Sequence, residues 1–104
     1  MFTINNQEWK IEFTNPFNEV FLQEDGNYTI GMCDNNKKII YLAEDLNGRL
    51  LKKVLCHEIV HAAMFSYNIS LTYDQEELLA DIIATYGDEI IDVTNKVFKK
   101  LQQF

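Results

Sequence analysis

His57, Glu58 and His61 sit inside KKVLCHEIVHAAMFSY, the most apolar helical stretch of the chain. The protein has only two histidines, and both fall here. On a helix, residues four apart share a face, one turn above the other. His57 and His61 are so spaced, with Glu58 beside them. Val54, Leu55, Ile59, Val60, Ala62, Ala63 and Phe65 surround them, so the helix is expected to be largely enclosed. An unpartnered buried polar group costs about 1–3 kcal/mol, and more if charged. A divalent metal offsets that cost. Two neutral imidazoles at this spacing present nitrogens to one Zn²⁺. The adjacent carboxylate is placed to take a proton from a zinc-activated water. The metal-free alternative is a core in which the three groups satisfy one another.

A catalytic zinc site takes three protein ligands and keeps a fourth position open. The next helical segment, EELLADIIATYG, offers Glu77 and Asp81, again four apart. Ala80 and Ala84 lie near that stripe and let another helix come close. In this geometry Glu77 binds the metal, while Asp81 accepts a proton from a ligating histidine and fixes its ring. Glu76 competes with Glu77, but its face is rotated by about 100° and it lacks a partner such as Asp81. Asp74-x-x-Glu77 also reads as a capping box, in which Glu77 would serve only the helix start.

The elements that must position these groups follow from periodicity. Phe2, Ile4, Trp9, Ile11 and Phe13 alternate around NNQ, which predicts a hairpin. Asn15 is a candidate cap for a short helix with Pro16 in its first position. YTIGMC and KIIYLAE read as two strands joined by DNNK, with Gly31 marking a bulge or a close backbone approach. Asp45 or Asn47 caps a helix to about Tyr67. Thr72 or Asp74 caps the next one, which Gly87 is expected to end or kink. A last helix runs from Asp88 to the end, with Ile90, Ile91, Val97, Phe98 and Leu101 on its buried side. Strands first and helices after predict an α+β fold, a small antiparallel sheet packed against the helices. One domain over residues 1–104 is expected.

Composition narrows the partners. The net charge of −7 repels phosphate, so neither nucleic acid nor an anionic membrane is an expected partner. The first residues lack the pattern of a signal peptide, and no apolar run reaches bilayer length. Two cysteines, Cys33 and Cys56, are too few for a disulfide framework. They are read as free, buried thiols of a cytoplasmic protein.

His57-Glu58-x-x-His61 followed by Glu77-x-x-Ala80-Asp81 resembles the gluzincin metallopeptidases, in particular the minigluzincins and the ImmA/IrrE-like proteins of bacteria and phages. The resemblance covers about Leu50 to Tyr86. It implies a zincin-like fold, one Zn²⁺ on His57, His61 and Glu77, Glu58 as general base, and a peptide or protein substrate. Here Asp81 leads into Ile-Ile-Ala, where the ImmA/IrrE pattern has a Phe-Ala pair. Larger gluzincins steady the oxyanion with a further histidine, which this chain lacks. Tyr67, Tyr73, Tyr86, Arg49 or a backbone N–H must take that place. KIIYLAE is the expected edge strand for an extended peptide. The competing function is a metal-stabilised binding module that cuts nothing.

Overall fold

Asn5 and Asn6 hold positive φ, 47° and 63°, the backbone of a tight hairpin turn that asparagine tolerates. They join β1 (Phe2–Ile4) to β2 (Gln7–Thr14), with Phe2 opposite Trp9. The computed structural model describes residues 1–103. β3 (Gly31–Asp34) and β4 (Ile39–Ala43) form the second hairpin, whose turn is held by the Lys37 N–H donating to Asp34 Oδ1 at 3.1 Å. Between the hairpins, Pro16 starts no helix. Asn15 accepts from the Phe17 N–H, and Asn18 caps a single 3₁₀ turn, Glu19–Phe21.

The sheet order is β1-β2-β4-β3, and β2 pairs with β4 in parallel, from Lys10 beside Ile39 to Thr14 beside Ala43. The sheet is therefore mixed, which corrects the antiparallel expectation. Alternation of side chains is the same in either pairing, so the sequence pattern does not distinguish them. KIIYLAE is also corrected. Its strand, β4, lies in the centre, with Ile40 to Ala43 buried, as a strand covered on both faces should be. The edge beside the helices is β3.

α1 (Gly48–Ser66) packs on the sheet, with no exposed residue from Val54 to Met64. Its core partners are Trp9, Ile40 and Leu42. The Trp9 indole N–H donates to Ser66 Oγ at 2.8 Å, and the Asn5 amide to the Ser66 carbonyl at 3.0 Å, so the first hairpin grips the end of α1. Asn47 caps α1 without a side-chain bond.

α2 (Tyr73–Leu101) starts in a capping box, Thr72 with Gln75, and runs for 29 residues. Gly87 does not end it. An added Cβ there would lie 3.3 Å from Ile83 Cγ2, one turn back on the same helix. Ala80 is fully buried at the crossing with α1. Beyond Gly87 every described residue is exposed, so the expected burial of Ile90, Ile91, Val97, Phe98 and Leu101 is corrected as well. An amphipathic pattern shows that a helix has an apolar face, not that its own chain covers it. The expected helix end at Phe104 lies outside the described residues. The architecture is α+β, a four-stranded mixed sheet with two helices. No described helix is long and apolar enough to cross a membrane.

Candidate metal centre

α1 carries His57 and His61 one turn apart, and the first turns of α2 cross in front of them. The capping box decides what those turns can offer. Because Gln75 answers Thr72, Glu76 and Glu77 are both free of the helix start. Asp74-x-x-Glu77 is not the box.

Each imidazole is held at both nitrogens. His57 Nδ1 lies 3.0 Å from Asp81 Oδ1, and His61 Nδ1 lies 2.5 Å from Glu76 Oε2. A carboxylate accepts, so ring hydrogens on Nδ1 answer Asp81 and Glu76 and turn both Nε2 lone pairs inward, whereas a hydrogen on Nε2 would answer Glu77 instead. The two Nε2 atoms converge to 3.2 Å. Glu77 reaches both, Oε1 to His61 Nε2 at 2.7 Å and Oε2 to His57 Nε2 at 3.4 Å. One ligand atom from each of the three residues lies within 4.8 Å of the others.

With both hydrogens on Nδ1, three acceptors face one another and repel. A single proton relieves one contact and leaves the rest. A divalent ion relieves all of them at once. The spacing suits such an ion, since bonds of about 2.0–2.1 Å to a tetrahedral Zn²⁺ set its ligands roughly 3.3 Å apart. His57, His61 and Glu77 thus form a cluster able to hold a metal ion on an H-E-x-x-H helix.

Glu58 stands beside the cluster, only 7% exposed. Burial pushes its carboxyl above the ordinary carboxylate range. His57 and His61 pull it back, and Glu77 pushes it further up. Gly31 on β3 explains the close fit around it. A Cβ there would lie 2.8 Å from Val54 Cγ1 and 3.0 Å from Glu58 Cγ. The strand can approach α1 this closely only without a side chain, so Gly31 marks an approach and not a bulge.

A cleft of about 360 Å³ opens over these groups. Phe21, Leu22, Met32 and Phe65 supply apolar walls, and His57, Glu58, His61 and Glu77 the polar floor. Tyr73, largely exposed, lines its rim, and the Glu77 carboxylate foremost raises its phenol above the usual value. Tyr67, Tyr86 and Arg49 are not among the lining residues.

Cys33 also borders the cleft, and burial, reinforced by Glu58 and Glu76, pushes its thiol up to about 12. Both cysteines are free. Cys56 is not a core thiol as expected. It faces a groove between the helices, with Ile83, Gly87 and Ile91.

Glu76 is the residue that sequence reasoning passed over. Its rotation of about 100° from Glu77 does not take it away from the site, because it meets the other edge of the same imidazole. The available signal was the rival capping box, which releases two adjacent glutamates. Comparison with family models, curated proteins and solved structures gave no match, so the chemistry of this chain is read from the His57–His61–Glu77 cluster and the cleft above it.

Proposed function

We propose that this protein is a zinc-dependent, gluzincin-like peptidase with a zincin-like arrangement of strands, H-E-x-x-H helix and glutamate helix. The observation that carries the proposal is the convergence of His57 Nε2, His61 Nε2 and Glu77 beside a buried Glu58. His57, His61 and Glu77 would hold the metal. When bound, Zn²⁺ supplies a Lewis acid that polarises a carbonyl and makes water acidic.

The chain's own residues do the rest. Asp81 and Glu76 fix the two rings in the tautomer that points Nε2 inward. Glu58 takes the proton of the attacking water and delivers it to the leaving amine, a task that its raised pKa suits. Tyr73 donates its O–H to the carbonyl oxygen as charge develops there. β3, the edge strand along the cleft, takes the substrate as an added strand through main-chain hydrogen bonds. Phe21, Leu22 and Phe65 favour an apolar side chain next to the scissile bond.

The test compares wild type with Glu58→Gln, by zinc content and by cleavage of an internally quenched peptide library. Wild type is expected to hold about one zinc per chain and to cleave. The variant should hold the same zinc and lose turnover about 10²- to 10⁴-fold. Equal cleavage by both would remove Glu58 from the mechanism. Zinc retention with no cleavage by wild type would leave a metal-stabilised binding module. A folded wild type that refuses zinc would leave a polar core.

A further inference from the structure

Of the ten asparagines, only Asn47 is followed by glycine. Such a pair is chemically labile, because a backbone nitrogen with no side chain on its own residue is unshielded beside the preceding amide carbon. The fold decides whether the two reacting groups are held, and here neither is. Asn47 caps α1 by position only. Its side chain makes no capping bond, and its amide comes no nearer than 3.4 Å to the Asp45 carbonyl. The Gly48 N–H belongs to the first turn, whose N–H groups have no acceptor within the helix, and no described backbone carbonyl outside the helix accepts it. Both residues are exposed, and a Cβ on Gly48 would meet nothing within 4 Å.

Asp25-Gly26 makes the opposite case within the same chain. Glycine follows there too, but both groups are engaged. Asp25 accepts from the Asn27 N–H at 2.9 Å and from the Asn27 amide at 3.1 Å, and the Gly26 N–H donates to the Gln23 carbonyl at 3.0 Å. The bonds from Asn27 also hold the Asp25 carboxyl below the usual carboxylate range, and an ionised carboxylate resists attack by a nucleophile.

We infer that Asn47-Gly48 is a site of spontaneous deamidation in the folded protein. The Gly48 nitrogen bonds to Asn47 Cγ, the Cγ–Nδ2 bond breaks, and ammonia leaves with the proton that Gly48 gave up. A cyclic imide closes. Water then opens it at one of two carbonyls. Opening at the side-chain carbonyl gives aspartate. Opening at the main-chain carbonyl gives isoaspartate, with an extra methylene in the backbone. The sum exchanges ammonia for water. Ring closure must turn the Asn47 carbonyl from its extended ψ of 169°, which breaks the bond it accepts from the Leu51 N–H at 3.2 Å. Gly48, Arg49 and Leu50 are exposed, so only the end of α1 has to open, a cheap local event. Aspartate leaves a carboxylate at the positive end of α1, where it is favoured, whereas isoaspartate displaces the cap. Neither residue lines the cleft, so the reaction proceeds whatever the metal centre does.

The test incubates the full chain in mildly alkaline buffer, beside a synthetic peptide of residues 43–52 and beside the chain unfolded in urea. Isoelectric focusing reads the gained negative charge. Peptide mapping with electron-transfer fragmentation reads the position and separates aspartate from isoaspartate. The folded chain is expected to shift by one negative charge, with both products at residue 47. Asn47→Gln should lose the shift, and Asn47→Asp should focus where the product does. Asp25 should stay unchanged in the folded chain and isomerise in urea. An Asn47 still intact when the peptide has converted overturns the inference. So does earlier conversion of any other asparagine in the folded chain, or the same shift in Asn47→Gln. Isomerisation of Asp25 as fast in the folded chain as in urea would also overturn it, since held groups would then react as freely as open ones.

Discussion

Glu76 and Asp81 hold equivalent nitrogens of the two histidines, yet they should not matter equally. Glu76 lies 2.5 Å from His61 Nδ1 with its side chain 19% exposed, whereas Asp81 lies 3.0 Å from His57 Nδ1 and is 66% exposed. Water competes for Asp81 and screens its charge. It reaches Glu76 far less. Removing a carboxylate that orients a metal-binding histidine typically costs 10- to 100-fold in metal affinity. Glu76→Ala should fall near the upper end, about 100-fold or ~2.7 kcal/mol, and Asp81→Ala near about tenfold or ~1.4 kcal/mol. Competition with a chromophoric zinc chelator at neutral pH reads both values, with circular dichroism confirming the fold. Glu77→Ala in the same series removes a ligand and should lose more than either. Wild-type affinity in Glu76→Ala beside a clear loss in Asp81→Ala would refute the reasoning. Burial would then not decide which carboxylate fixes its imidazole.

Gly31→Ala should lower stability by about 1–3 kcal/mol in a urea melt, because the new methyl must displace Val54 or Glu58, and unchanged stability would show that β3 can retreat freely. Tyr73→Phe should lower turnover by about 10²-fold with little change in KM, and an unaffected kcat would hand the oxyanion to a backbone N–H. In chelator-treated protein, Cys33 should resist iodoacetamide at pH 8 and gain reactivity only as pH climbs toward its pKa of about 12, because the thiolate is the nucleophile. Cys56 is raised less and is less buried, so mass mapping should find the label there first. Rapid labelling of Cys33 at pH 8 would contradict its burial.

Local spacing alone determined a large part of this protein. The i, i+4 placement of His57 and His61 is a property of one helix, so both imidazoles share a face whatever packs on them. The Asn5–Asn6 turn and the β3–β4 hairpin are equally local. Gly31 signalled either a bulge or a close approach, and only the packing of β3 on Val54 and Glu58 decided for the approach. The tertiary structure decided what depends on distant partners. Parallel pairing of β2 with β4 joins segments far apart in sequence, and alternation is silent on it. That pairing puts β4 in the centre and leaves β3 as the edge along the cleft. Glu76 faces a histidine only because α2 crosses in front of α1, which no spacing within α2 reveals. The stripe of Ile90, Val97, Phe98 and Leu101 was legible as apolar. Its exposure was not, because periodicity describes one helix and burial belongs to what lies against it.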